Sequence, residues 1–140
     1  GNPSASFADV KSAAKLSSAD SFIQKLPSGY DFHVGEEGMN LSGGQRQRIM
    51  IARALLNKKT RIGIFDEPLS FLDIKTRGIV MENLNDYGKG KTVITVTNIL
   101  DAMKHADNVI LINDGEIVHT GDKKSFLNKT HLSHLILNSM

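Results

Sequence analysis

The chain has 140 residues, a formal net charge of +2 and a hydrophobic content of 40%, so it can bury one core without having to be a whole domain. Charges of both signs are balanced and no dense basic run is present, which argues against nucleic acid as a partner. The sequence contains no cysteine and therefore no disulfide or thiolate metal site, and no apolar run is long enough to span a bilayer.

The first part of the chain predicts helices joined by polar loops. Ser6 is placed to cap a helix that runs to Lys15, and Ser18 is placed to cap a second one over residues 19–26. Residues 30–40 contain glycines and polar side chains and are expected to form a loop with at most one short strand. This part therefore predicts a small helical layer of its own.

A third helix is predicted after the segment Leu41-Ser42-Gly43-Gly44-Gln45. Ser42 followed three residues later by Gln45 is a capping-box pattern, and residues 46–56 have apolar side chains at helical spacing. Two glycines allow a ligand to approach the backbone closely. Free N–H groups and the positive end of the helix dipole favour phosphate. The segment alone is equally compatible with a well-capped core helix.

From Thr60 onward short apolar runs alternate with helical patterns. The first two runs predict buried strands, and Asn113-Asp114-Gly115 predicts a hairpin turn. Such alternation indicates an α/β fold with a mostly parallel sheet, in which ligands bind beyond the carboxyl ends of the strands. Strands are predicted at residues 62–65, 92–97, 109–112 and 117–119, and helices at 74–84, 99–105 and, after a cap at Gly121-Asp122, through 126–127 and 132–137.

The strand at residues 62–65 ends in two carboxylates, Asp66 and Glu67. An aspartate at a strand end can hold Mg²⁺, usually through water. A neighbouring carboxylate can orient and deprotonate a water molecule that attacks phosphorus. Either residue alone is also compatible with an ordinary carboxylate at the end of an element.

Together these segments resemble the nucleotide-binding domain of ATP-binding cassette (ABC) transporters over nearly the whole chain. Residues 41–45 resemble the signature motif, residues 62–67 the Walker B strand with its catalytic glutamate, and residues 70–73 the D-loop. Val34-Gly35-Glu36 resembles the X-loop of exporter-type members, and Gly29-Tyr30-Asp31 also matches the exporter pattern. Several motifs in separate elements thus agree.

The resemblance implies an α/β, P-loop NTPase-like fragment. A helical signature subdomain would cover residues 1–58, and the C-terminal part of the ATPase core, with a terminal hairpin and helices, would cover residues 59–140. It further implies a second nucleotide-binding domain, in a homodimer or heterodimer, and a transmembrane domain as partners, with ATP and Mg²⁺ as cofactors. The place of action would be the cytoplasmic face of a membrane.

The resemblance also assigns roles to individual residues. Two domains would close head to tail around two ATP molecules, so that the signature of one contacts the γ-phosphate held by the other. Asp66 would hold Mg²⁺, Glu67 would orient the attacking water, and Asp73 would reach across the dimer interface. The signature contacts would come from Leu41, Ser42, Gly43, Gly44 and Gln45.

Two features depart from the family pattern. The phosphate-binding sequence G-x-x-x-x-G-K-[ST] is absent, since Gly38 and Gly43 have the right spacing but Gly44 follows. We therefore expect a C-terminal piece that neither binds ATP tightly nor hydrolyses it alone. The switch histidine of the family corresponds to Asn98, which is expected either to donate to the γ-phosphate, with slow turnover, or to cap the helix after it; both roles are compatible.

Two other functions compete with the exporter ATPase. A degenerate, non-catalytic half would only supply its signature to a partner's ATP site; Asn98 favours this reading and Glu67 opposes it. A DNA-repair or chromosome-organising ATPase has a similar signature, but no heptad tract precedes residue 41 here, and the exporter-like residues near 29–36 oppose that reading.

Overall fold

The computed structural model of the chain describes residues 1–127, which fall into two compact units, Gly1–Val96 and a second one that begins at Thr97. The helix predicted over residues 132–137 lies outside the described residues. The predicted α/β class is confirmed, while the subdomain boundary at residue 58 stays a prediction. The first unit contains α1 (Phe7–Leu16), α2 (Asp20–Ile23), α3 (Gly43–Leu55), β1 (Ile62–Asp66), α4 (Ile74–Gly88) and β2 (Thr92–Val96), with 3-10 turns at Gly29–Asp31 and Glu36–Gly38.

Serine caps begin α1 and α3, as predicted. The hydroxyl of Ser6 accepts the amide of Asp9 at 3.2 Å. The prediction for Ser18 is wrong, because α2 begins at Asp20 without a side-chain cap. Ser18 has a φ of 59° and turns the chain sharply at the end of α1, where its amide donates to the carbonyl of Lys15 at 3.0 Å. Its hydroxyl is thus at a helix exit and not at a helix start.

Residues 30–40 form two 3-10 turns and no strand. The Tyr30 hydroxyl donates to the carboxylate of Asp20 at 2.6 Å, and Tyr30 and Phe32 pack against a buried apolar cluster. This side-chain packing fixes the segment without a strand partner. The cluster consists of Ala14, Ala19, Phe22, Ile23 and Leu41.

Strands β1 and β2 pair in parallel, in register from Ile62 opposite Thr92 to Asp66 opposite Val96. On one face the ring of Phe65 lies edge-on to that of Tyr87 in α4, at a centroid distance of 6.4 Å. Helix α4 continues beyond its predicted end at Leu84 to Gly88. It covers this face of the sheet.

The opposite face of the same sheet is exposed, so the prediction of fully buried strands is wrong. Ile64 is 69% exposed and Ile62 is 60% exposed, and the facing residues of β2, Ile94 and Val96, are also open to solvent. The physical reason is that an apolar run predicts burial but not the element that provides it. None of the helices within residues 1–127 combines the length and the apolar character needed to cross a bilayer.

The second unit contains a 3-10 helix (Leu100–His105), β3 (Asn108–Asn113), β4 (Glu116–Asp122) and α5 (Lys123–Leu127). Strands β3 and β4 form the predicted antiparallel hairpin. Asp114 and Gly115 both have positive φ, 50° and 80°, as a tight two-residue turn requires. The carboxylate of Asp122 accepts the amide of Ser125 at 2.7 Å, which confirms the predicted cap.

Candidate nucleotide-binding site

The first turn of α3 presents free backbone donors. The amide of Ser42 donates to the side-chain oxygen of Gln45 at 2.9 Å, and the amide of Gln45 donates to the Ser42 hydroxyl at 3.3 Å, which completes the predicted capping box. Within the described part of the chain the amides of Gly43 and Gly44 have no hydrogen-bond partner. Both glycines are half-exposed and not enclosed in a core. These amides are therefore available to an anion.

Leu41, predicted among the binding residues, places its side chain elsewhere. It is 7% exposed and belongs to the buried cluster of the helical layer. Its side chain is thus a packing anchor, because an apolar group in a core cannot reach a phosphate in solvent. Only the main chain of Leu41 remains next to the site.

The loop after β1 lies against the same turn of α3. A Cβ atom on Gly44 would be 2.6 Å from the carbonyl oxygen of Phe71, and one on Gly43 would be 3.4 Å from the Phe71 ring. Gly44 is therefore required by packing inside this chain, in addition to any approach of a ligand. Only the approach of a ligand was predictable from the sequence, because Phe71 is far from Gly44 along the chain.

The two carboxylates at the end of β1 have different environments. Asp66 is exposed, and Glu67 is half-exposed with its carboxylate accepting the Ser70 hydroxyl at 3.2 Å. Within residues 1–127 no three histidine, aspartate or glutamate side chains cluster as a metal site would need. Asp66 fits Mg²⁺ as a single carboxylate ligand, since that ion usually takes its remaining oxygens from water and phosphate.

Two polar residues of α3 that the motifs did not single out connect this site. The side-chain amide of Gln47 donates to the main-chain carbonyl of Glu67 at 3.1 Å. The guanidinium of Arg48 donates to the carbonyls of Gly44, at 3.2 Å, and Ser18, at 3.0 Å. Burial lowers the pKa of Arg48, which nonetheless stays a cation at physiological pH. The sequence signals these contacts only by two adjacent polar side chains, Gln47 and Arg48, within the amphipathic pattern of the helix.

Asp73 and Asn98 complete the set of predicted site residues. Asp73 caps α4, where its carboxylate accepts the amide and the hydroxyl of Thr76 at 3.0 and 2.6 Å. These hydrogen bonds lower the pKa of Asp73. The cap predicted for Asn98 is wrong, because the 3-10 helix has Ile99 at its N-cap position, and the amide of Ile99 donates to the Thr97 hydroxyl at 3.1 Å.

The first unit thus brings the head of α3, the end of β1 and the loop that leads to α4 into one neighbourhood, whereas Asn98 belongs to the second unit. Free amides at a helix start beside strand-end carboxylates are an arrangement that suits a phosphate-containing ligand. The profile of the family described as ABC transporter matches residues 2–70.

Individual proteins give the same result. The chain is 47% identical over 128 residues to the alpha-hemolysin translocation ATP-binding protein HlyB of Escherichia coli O6:H1. The aligned segment covers 91% of this chain but only 18% of HlyB. A solved structure of a bacterial Atm1-family ABC exporter with ATP bound superposes with a TM-score of 0.88 and 32% identity, over 99% of this chain and 24% of the exporter chain. The chain belongs to the ABC transporter family and corresponds to part of the ATP-binding domain of an exporter.

Proposed function

We propose that this chain is a part of the ATP-hydrolysing engine of an ABC exporter. In the full-length protein, ATP drives the closure of two nucleotide-binding domains, and hydrolysis releases them. The solved exporter with bound ATP and the translocation protein HlyB support this class of function. Differential binding of ATP to the closed state supplies the free energy for a conformational change in the attached transmembrane domain.

At the head of α3, the free amides of Gly43 and Gly44 bind the γ-phosphate of an ATP molecule held by the second domain. Ser42 and Gln45 keep these amides in place through the capping box and contact the same phosphate. The dipole of a helix of 13 residues adds positive potential at this end. The contribution of this chain to that ATP site is therefore binding and orientation.

At the end of β1, Asp66 holds the Mg²⁺ that accompanies the ATP of its own domain, and this ion neutralises phosphate charge. Glu67 orients the attacking water and accepts its proton. The Ser70 hydroxyl donates to the Glu67 carboxylate and so limits its rotation. Asp73, exposed at the start of α4, contacts the second domain across the interface.

The chain acts at the cytoplasmic face of a membrane, against the transmembrane domain of the same transporter. The sequence has no lysine-bearing phosphate loop, and so the chain alone does not turn over ATP. Multiple turnovers of Mg-ATP by the purified 140-residue chain, free of contaminating ATPase, would contradict this part of the proposal.

One observation supports the proposal most directly, namely the contact between the glycine pair of α3 and the loop that follows Glu67. It joins a phosphate-binding turn to a hydrolytic carboxylate in one folded unit. The test is steady-state ATPase of the full-length transporter with Glu67→Gln, which keeps the shape of the side chain and removes its basicity. We expect a loss of at least a hundredfold, because a general base contributes about 10²–10⁴ in rate.

A degenerate half is the second candidate, and the residue that favours it is Asn98, whose neutral amide replaces the family's histidine. In this case the chain supplies only its signature turn to the partner's ATP. The same Glu67→Gln variant separates the two functions, since an inert half loses little activity. The neutral control is Met50→Gln, an exposed position on α3.

A further inference from the structure

The backbone at Glu67 has a conformation that its neighbours must enforce. Glu67 has a φ of 43°, in the left-handed region that residues other than glycine rarely adopt. Its amide donates to the carbonyl of Val96 at 2.8 Å. Its carbonyl accepts the amide of Ser70 at 3.2 Å and the side-chain amide of Gln47 at 3.1 Å. The direction of the Glu67 side chain follows from these backbone bonds.

Gln47 differs from the other partners because it comes from the signature helix. Val96 lies in the neighbouring strand and Ser70 in the same loop, so neither reports on the position of α3. Gln47 lies in the first two turns of α3, one turn after the capping box that orders Ser42 and Gln45. The capping box and Gln47 belong to one continuous hydrogen-bonded helix of 13 residues. A displacement of the phosphate-binding turn therefore reaches Gln47 directly.

A second contact joins the same two segments. Phe71 has a φ of 62°, and its carbonyl oxygen lies 2.6 Å from the position of a Cβ on Gly44. The first two turns of α3 thus meet the loop after β1 at both of its strained residues, at Glu67 through the Gln47 hydrogen bond and at Phe71 through close packing against Gly44. A shift of α3 away from this loop would break both contacts.

We propose that Gln47 is a positioning residue that couples the signature turn of α3 to the catalytic glutamate Glu67. The inference rests on the proposed function, in which the signature turn binds the ATP held by the partner while Glu67 acts on the ATP of its own domain. The Gln47 hydrogen bond therefore links one ATP site of the dimer to the other. Occupation of the first site orders the backbone that aims Glu67 at the second.

The test uses the full-length transporter with Gln47→Glu and Gln47→Ala. Glutamate keeps the shape of the side chain but places a carboxylate, which is no donor, against the Glu67 carbonyl. We expect kcat for ATP to fall roughly three- to tenfold, as the loss of one hydrogen bond allows. The KM for ATP and the ATP concentration that closes the dimer stay within twofold, because Gln47 touches no nucleotide. Met50→Gln on the same helix leaves all three unchanged.

A merely structural role for Gln47 would give a different pattern. It would weaken ATP-dependent closure in proportion to kcat and lower the thermal midpoint by more than the few degrees that one lost hydrogen bond explains, and this result would overturn the inference. A wild-type kcat for Gln47→Glu would overturn it as well. Dimer closure is measured by distance labels on the two domains, and unfolding by a thermal scan of the same samples.

A double variant separates this inference from the proposed function. If Gln47 acts through Glu67, Gln47→Glu has no further effect on single-turnover hydrolysis once Glu67→Gln is present, whereas additive losses would contradict it. If Glu67→Gln alone leaves the ATPase unchanged, the proposed function fails, whatever Gln47 does. If Glu67→Gln is inactive and Gln47→Glu behaves like Met50→Gln, only the inference fails.

Discussion

Gly44→Ala tests whether the glycine pair of α3 is required by packing within the chain. The added methyl group would lie 2.6 Å from the carbonyl oxygen of Phe71, about an ångström inside ordinary contact distance. Overpacking of this kind costs about 1–3 kcal/mol. Alanine recovers about 0.5–1 kcal/mol over glycine in a helix. The expected net effect is a destabilisation of about 1–2 kcal/mol.

The assay is thermal unfolding of the full-length transporter, in which this change lowers the midpoint of the nucleotide-binding domain by a few degrees. Gly78→Ala is the matched control, because Gly78 lies inside α4 and a Cβ there meets nothing within 4 Å. Helix propensity alone then raises or maintains the midpoint. If Gly44→Ala proved as stable as Gly78→Ala, the proposed contact between α3 and the Phe71 loop would be refuted.

Three further predictions concern single side chains. Asp73→Ala removes the cap of α4 and lowers the thermal midpoint, whereas Asp73→Ser keeps a cap and most of the stability. Since hydrogen bonds from Thr76 lower the pKa of Asp73, the stability that the ionised carboxylate contributes is present above the ordinary value of 3.8 and is lost as pH falls through the lower folded value. A measurement of the thermal midpoint at decreasing pH checks this. Burial and the hydrogen bond to Asp20 raise the pKa of Tyr30. The stability that protonated Tyr30 contributes is therefore complete below the ordinary value of 10.0 and is lost as pH rises through the higher folded value. Ultraviolet titration should show one tyrosine that ionises late, and Tyr30→Phe should remove it. Asn98→His should raise the steady-state ATPase of the full-length protein, and an unchanged rate would remove the hypothesis of a missing switch.

Local chemistry made much of the fold predictable. The caps at Ser6 and Ser42 and the turn at Asp114-Gly115 each follow from a short stretch of residues whose preference the tertiary structure leaves in place. The parallel pairing of β1 with β2 follows from the alternation of strands and helices along the chain. The prediction for Ser18 is wrong because a serine before an apolar run usually marks a helix start, whereas Ser18 here belongs to the turn that ends α1.

The contacts that hold the site together were not predictable in the same way. Gln47 lies 20 residues from Glu67, and Gly44 contacts a loop more than one helix further on. A pattern of hydrophobicity does not say which carbonyl a particular side chain meets. Leu41 shows the converse limit, since a motif places it at a ligand site, but only the folded cluster reveals that its side chain belongs to the core.

The uncovered face of the β1–β2 sheet ends at Asp66, the proposed Mg²⁺ ligand. Ile62, Ile64, Ile94 and Val96 share this face, and parallel sheets are stable when both faces are covered. Burying an isoleucine side chain contributes about 1.5–3 kcal/mol, so covering these four contributes several kcal/mol, against a typical domain stability of about 5–15 kcal/mol. Asp66 follows Ile62 and Ile64 on the same face. An element that covers the isoleucines therefore packs next to the proposed Mg²⁺ ligand. Covering this face and enclosing the proposed Mg²⁺ ligand therefore involve the same surface of the sheet.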